Sequence, residues 1–479
     1  MRIVMFSITP LFPDHDMGGG QKHLRRIAMH LAEMGHQITI LCTRREDTKV
    51  PFQWHENIRV LPMLRFKQPF PAPYDTPAYN IAAIIQDVAE YIQAADRFYI
   101  HDGEFVFPYV YRNVPTVVSL RDNVYPETIQ GAFHFAAHKL IVISEYARQF
   151  FLHTVGRFFP ELPAHMTVIR NSIDWTMFRP VEPTQAIRDL VHGVNPDEHA
   201  IVLHPHRPEA SKGLPQTIEV ADRLVKEHGI TNLRVCVPQW LGMDYDPEVK
   251  KFYEKMRGEI AARGLTEHFV FHDWVPVNLL PGYFSYGGVT LALGSFVESF
   301  GNAVYESLGC GTPTVVARIS SHREILPEAL IDKVDFNDHV TAAAKAAHIL
   351  QTKKRTPGAT MEYLHLNYRI ENQLSRYAET ILNARVAQPM RFEVRPITPQ
   401  TRYMLAPWCY LAAAPDGEPR GIYHDYLSDY YHDDTLIEIL NAFPRGFTGL
   451  DAAARDISAE TLEGWLRDGY ISIAVGIVA

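Results

Sequence analysis

The stretch Phe296-Val297-Glu298-Ser299-Phe300-Gly301-Asn302-Ala303-Val304-Tyr305-Glu306-Ser307-Leu308-Gly309-Cys310-Gly311-Thr312-Pro313-Thr314-Val315-Val316 decides how the rest of the chain is read. The apolar run 289–293 before it has the pattern of a buried strand, and Ala303, Val304, Ser307 and Leu308 then recur at helical spacing. Gly309 to Pro313 stops that helix, and 314–317 reads as the next strand. The result is strand, glycine-containing turn, helix, strand. Such a turn aims backbone N–H groups, and the roughly half a positive charge of a helix dipole, at whatever lies before it. Glu298 and Glu306, eight positions apart, then need an explanation, because a carboxylate has no use for a phosphate. Sugar hydroxyls supply one, since a carboxylate accepts two charge-assisted hydrogen bonds of about 1.5–3 kcal/mol each. A nucleoside diphosphate joined to a sugar would employ both acids and the amides between them. The plainer alternative makes Glu298 a helix cap and Glu306 a surface acid.

The same residues resemble the E-x7-E signature of the family-4 retaining glycosyltransferases of GT-B architecture: Glu298-Ser299-Phe300-Gly301-Asn302, Glu306, and Gly309-Cys310-Gly311-Thr312-Pro313. The resemblance implies an α/β chain of two Rossmann-like, doubly wound domains facing across a cleft. It places Glu298 on the donor sugar, Ser299, Phe300, Gly301 and Asn302 on sugar and phosphate through their amides, and Glu306 on the ribose diol. It further implies retention of configuration without a dedicated protein base, and no metal or other cofactor.

The 479-residue composition is 47% hydrophobic and 21% charged, an ordinary globular balance with room for two or three domains. A net charge of −9 argues against a general nucleic-acid binder. Cys42, Cys236, Cys310 and Cys409 are scattered without pairing or metal-ligand spacing, so a reducing, cytoplasmic setting is expected. No run approaches the roughly 18 apolar residues of a spanning helix, which leaves peripheral membrane contact open.

At the start, 2–8 reads as a buried strand, 21–34 as a helix with Leu24, Ile27, Ala28, Leu31 and Ala32 on one face, and 37–42 as a second strand. Gly18-Gly19-Gly20 then lies at a helix N-terminus where phosphate is expected in a βαβ unit, with Gly19 and Gly20 as donor contacts and His23 beside them on the acceptor side. Residues 50–80, with Pro62, Pro69, Pro71, Pro73 and Pro77, read as an irregular surface excursion, either an acceptor-binding wall or a structural loop. Strand 116–120 runs into Arg121-Asp122-Asn123, and polar residues at the carboxyl end of a parallel strand are acceptor-side candidates. Relatives in the resembled family usually have histidine where this chain has Arg121. An arginine there could hold a phosphate or an acceptor anion, or pair with Asp122 or Glu127. Residues 167–180 resemble the family's closing segment of the N-terminal half.

After a polar linker, the segment 200–213 begins a new βα cycle. Arg207 and Lys212 on its loop match the family's G-R-x4-K-G spacing, with His206 in place of the first glycine. Two cations on one loop suit the two charges of a diphosphate, so Arg207, Lys212 and Glu298 are the candidate catalytic residues. Strands at 233–238 and 269–276 follow, and Ser320-Ser321-His322-Arg323-Glu324 stands where relatives have glycines before a glutamate. A helix at 368–384 is expected to cross back onto the first domain.

The expected divisions are 1–180, the acceptor side; 181–365, the donor side; 366–387, the crossing helix; and 388–479, a small α+β extension with three helices and a final strand at 471–478, compatible with a winged-helix-like unit. Acids outnumber bases in the extension, which favours a protein-acceptor platform or a homo-oligomer contact over DNA. A Tyr, His and Asp cluster at 423–434 lacks metal-ligand spacing. The expected partner is a nucleotide-sugar donor, with a glycan, small molecule or protein as the acceptor. A binding protein that keeps the architecture without transfer, or a phosphorylase or epimerase on it, are the rival readings.

Overall fold

A computed structural model describes residues 1–16, 18–45, 48–65, 78–101, 108–240, 247–413 and 419–475. The chain divides into two compact units: one of 1–170, 371–424 and 429–479, the other of 171–370 with the four-residue turn 425–428.

The first unit is built as β1 (Arg2–Ser7), α1 (Gly19–Glu33), β2 (Gln37–Thr43), β3 (Phe52–His55), β4 (Ile58–Leu64), α2 (Ala78–Gln93), β5 (Arg97–His101), β6 (Thr116–Leu120), α3 (Pro126–Phe133), β7 (Lys139–Val142), α4 (Glu145–His153), α5 (Leu162–His165) and β8 (Met166–Val168). Its sheet runs β3-β4-β2-β1-β5-β6-β7-β8 and is parallel apart from the β3–β4 pair. The helix at 21–34 thus begins earlier, on Gly19 and Gly20 themselves, after the extended Gly18. The reading of 50–80 as irregular is corrected for 52–64, which forms β3 and β4. Pro62 misled it: this proline pairs with Cys42 where the register with β2 shifts, a bulge position that tolerates a missing N–H. Pro69, Pro71, Pro73 and Pro77 lie outside the described residues.

The second unit comprises α6 (Gln185–Leu190), β9 (Ala200–Leu203), α7 (Leu214–Lys226), β10 (Leu233–Pro238), α8 (Pro247–Ala262), β11 (Phe269–His272), α9 (Leu280–Tyr286), β12 (Val289–Ala292), α10 (Asn302–Gly309), β13 (Thr314–Ala317), β14 (Asp332–Val334), α11 (His339–Thr352) and α12 (Gly358–Asn367). The all-parallel order β11-β10-β9-β12-β13-β14 is the doubly wound dinucleotide-fold order. Strands β12 and β13 are buried throughout, as a parallel sheet covered on both faces requires. Their threonines are satisfied inside: the Thr290 and Ser307 hydroxyls lie 2.7 Å apart, and Thr314 donates to the Val304 carbonyl. Strand order reverses between β9 and β12, so the loops leaving those two strands frame the crevice where ligands bind in such sheets.

Helix α13 (Ile370–Leu382) belongs to the first unit, whose core takes in Tyr377, Ala378 and Ile381. The extension then adds β15 (Arg402–Leu405), β16 (Cys409–Ala413), β17 (Pro419–His424), β18 (Asp429–Tyr431), α14 (Asp434–Ala442), β19 (Phe447–Thr448), α15 (Gly449–Ala453), α16 (Ala459–Arg467) and β20 (Ile471–Ile473). Its strands form two three-stranded sheets, β19-β15-β20 and β16-β17-β18, around a core containing Tyr403, Ile422, Leu436, Phe447 and Trp465. The final strand expected at 471–478 is observed as Ile471–Ile473, while Gly476, Ile477 and Val478 lie outside the described residues. All four cysteines are buried thiols, and burial pushes Cys42, Cys236 and Cys310 up to about 12. Among the described residues no helix is long and apolar enough to cross a membrane.

Burial holds His153, His272 and His322 down at about 4. A histidine with a folded pKa below its unfolded value of about 6.5 leaves the unfolded chain binding more protons, so its contribution is complete above that value and is lost as pH falls toward 4. Each costs on the order of 3 kcal/mol once titrated. Urea midpoints are therefore expected to fall steeply between about pH 6.5 and pH 4; an unchanged midpoint across that window would contradict the burial of these rings.

Candidate functional site

Backbone packing brings the β9 and β12 loops together. Gly213 sits at φ 91, and a Cβ there would stand 2.4 Å from the Gly294 nitrogen; one on Gly294 would stand 2.1 Å from the Ser211 carbonyl oxygen. Two glycines are needed for that approach. Phe296 N–H then donates to the Ser211 carbonyl at 2.9 Å. The clasp places Lys212 opposite Glu298, with Nζ donating to Oε1 at 2.7 Å and lying 3.3 Å above the centre of the Phe296 ring.

These groups line one cavity together with His206, Ser211, Gly301, Asn302, Ala303 and His322. The Lys212 side chain is 10% exposed and that of Glu298 25%, so the carboxylate still opens to solvent while the ammonium is largely enclosed. Burial pushes the Glu298 carboxyl upward, but the charge and hydrogen bond of Lys212 outweigh it and hold the group below the usual carboxylate range. His206 is driven down to about 4 by burial and then by Lys212, and its Nε2 donates to the Leu291 carbonyl at 3.2 Å. His322 is also neutral, its Nδ1 3.0 Å from the Tyr305 hydroxyl. The cavity therefore offers one cation, one carboxylate, two neutral imidazoles and the N-terminus of α10.

That N-terminus is capped by Gly301 at φ 82, where a Cβ would meet the His322 Cε1 at 2.3 Å. Gly301→Ala is expected to lose about 1–2 kcal/mol from the left-handed backbone alone, and more from displacing the ring. Thermal unfolding checks it, and a variant as stable as the parent would contradict the packing.

The structure distributes the remaining candidates unevenly. Ser299 is buried, Phe300 turns its ring inward against Tyr305 and Tyr368, 5.0 and 5.7 Å between centroids, and neither belongs to the cavity lining. Asn302 accepts from Asn171 at 3.4 Å. Glu306 lies on the second turn of α10, partly buried and outside the cavity lining. Arg207 pairs with Glu209 at 3.3 Å, is 38% exposed, and also lies outside the lining.

Gly19, Gly20, His23, Arg121, Asp122 and Asn123 belong to the first unit. Arg121 Nη1 donates to His23 Nδ1 at 2.7 Å, which puts the His23 proton on Nε2. Burial and then the Arg121 charge keep that ring neutral. His101 Nε2 donates to the Gly20 carbonyl at 2.9 Å and Nδ1 accepts from Tyr99, tying the start of α1 to the end of β5. Asp122 accepts from the Val124 and Tyr125 amides and from Thr128, bracing the entry to α3, while Asn123 is fully buried.

Residues 17–176 match the family model described as "Glycosyltransferase Family 4", and residues 190–355 that described as "Glycosyl transferases group 1". A D-inositol 3-phosphate glycosyltransferase of Acidothermus cellulolyticus is 25% identical over 245 residues, 49% of this chain and 52% of that protein, so this chain aligns with about half of that relative's length. Sucrose-phosphate synthase from Thermosynechococcus elongatus superposes with a TM-score of 0.63 at 16% identity, covering 79% of this chain and 97% of that one. Anabaena HepE, solved in complex with UDP and glucose, gives 0.61 at 18% identity, covering 80% and 99%. Those two likenesses establish the GT-B fold, two Rossmann-like α/β units with a smaller α+β extension beyond them.

Proposed function

We propose that this chain, a GT-B fold whose two halves match glycosyltransferase families, transfers a sugar from a nucleoside-diphosphate sugar to an acceptor hydroxyl with retention of configuration. The observation that carries the proposal is the Lys212–Glu298 pair at the topological switch point, beside the open N-terminus of α10. An ammonium has three N–H donors; with one on Glu298 and the Phe296 ring covering another side, a third is left for the diphosphate. Glu298, held ionised, accepts from sugar hydroxyls and orients the ring, and the α10 amides face the departing phosphate. His206 and His322, neutral throughout the working range, act as polar walls and add no second charge. Arg207 would leave Glu209 to reach the diphosphate, and Glu306 would take the ribose. On this reading the leaving diphosphate itself helps remove the acceptor proton, so no side-chain base is assigned.

Thermal-shift screening against UDP-, GDP-, ADP- and TDP-sugars, followed by a transfer and hydrolysis assay with the stabilising donor, tests the proposal. One donor should raise the melting temperature and be slowly hydrolysed. Binding with neither transfer nor hydrolysis would favour a sugar-nucleotide-binding protein, the reading suggested by Arg121 and by the unusual Ser320–Arg323 turn.

A further inference from the structure

Strands β17 and β18 of the extension are joined by 425–428, and those four residues group with the second unit. The Asp425 carboxylate is fully enclosed, 0% exposed, and grips Arg323 with both oxygens, at 2.8 Å from Nη1 and 2.7 Å from Nη2. It also accepts from the Ser320 backbone N–H at 3.2 Å. Ser320 stands at φ 44, the left-handed region that a residue with a Cβ seldom occupies. Such a conformation persists where surroundings over-determine it, and the bond from Asp425 acts on that very residue. Lys333 braces the far side by donating to the Arg323 and Leu326 carbonyls.

The opposite side of the same turn forms the cavity wall. Ser321 N–H donates to the Glu298 carbonyl at 3.3 Å, and the His322 ring closes against Gly301, the residue that caps α10. A displacement of the turn is therefore passed on to the acid and to the helix end facing the cavity.

We infer that Asp425 is a positioning residue for the donor site: it holds the Ser320–Arg323 turn so that Ser321 and His322 keep Glu298 and Gly301 in place. The inference rests on the donor-site reading given above. It gives the extension a part in sugar-nucleotide binding, because the residue that fixes the wall comes from its sequence. Asp425 lies outside the cavity lining, so its part is to hold the turn.

Calorimetric titration of the full chain with UDP, GDP, ADP and TDP tests this, comparing the parent with Asp425→Asn, Asp425→Ala and Asp433→Ala. Asp433 is the control for general damage to the extension: it caps α14 at the Leu436 amide and accepts from Tyr431 and from Trp465. The nucleotide that the parent binds is expected to bind tenfold or more weakly to both Asp425 variants. Asp433→Ala should bind it as the parent does, even while melting at a lower temperature. Asp425→Asn is nearly isosteric and keeps one acceptor for Ser320, so it remains informative if the alanine variant fails to fold. Parent-like affinity in Asp425→Asn overturns the inference, and so does an equal loss in Asp433→Ala, which would make the effect a loss of the extension's fold. Failure of the parent to bind any of the four nucleotides overturns the donor-site reading itself and this inference with it.

Discussion

Lys212→Ala is expected to lower kcat/KM for sugar transfer by about two powers of ten or more, at roughly 1.4 kcal/mol per tenfold. Among the residues lining the cavity Lys212 is the lysine, no arginine joins it, and both imidazoles are held neutral. The lining holds no second cation to replace it, and Arg207 would have to leave Glu209 to do so. The ammonium is also largely enclosed and seated over Phe296, so it acts on an anion with little intervening water. Arg207→Ala should cost less, because that guanidinium is exposed, engaged with Glu209 and outside the lining. Steady-state kinetics on the two variants check the order. Equal losses would mean that the 204–213 loop rearranges on binding, and parent-like turnover in Lys212→Ala would remove the lysine from the mechanism.

The second large effect is expected at Glu298, and its sign depends on the ligand used. Glu298→Gln replaces an acceptor-only carboxylate with an amide, losing charge-assisted bonds to sugar hydroxyls of about 1.5–3 kcal/mol. That corresponds to a loss of roughly 10- to 150-fold in kcat/KM for transfer. The same change removes the counter-charge of Lys212 and frees the ammonium for phosphate. The bare nucleoside diphosphate, which has no sugar for Glu298 to hold, should then bind the variant as tightly as the parent or more tightly. A variant that loses affinity for sugar-nucleotide and bare nucleotide equally would place Glu298 on the phosphate side or in a purely structural role.

The second unit was the most legible part of the chain. Runs such as Val289–Ala292 and Thr314–Ala317 are buried on both faces, and a parallel sheet writes that burial into sequence as near-continuous apolar text, broken only by the satisfied Thr290 and Thr314. Gly213, Gly301, Lys212 and Glu298 were also visible, since turn chemistry and charge are local features. Their pairing was not. It depends on Gly213 and Gly294 passing backbone to backbone, a contact between loops from two strands that no periodicity records. Phe296 could be quoted, but its place beneath the Lys212 ammonium follows only from that contact. In the extension the helices were readable from their spacing, whereas β17 and β18 carry Tyr423, His424, Asp429, Tyr430 and Tyr431, polar text that resembles a loop until the strands pair. Asp425 was unreadable for a simpler reason: 102 residues separate it from Arg323, and a buried carboxylate finds its partner only in three dimensions.

Calorimetric titration of the parent and of Lys212→Ala with UDP-, GDP-, ADP- and TDP-sugars tests the account most directly. One donor should bind the parent saturably with one molecule per chain, and its affinity should fall about 100-fold in the variant. Binding that survives in Lys212→Ala, or a parent that binds none of the four, would contradict the assignment of this cavity to an activated sugar.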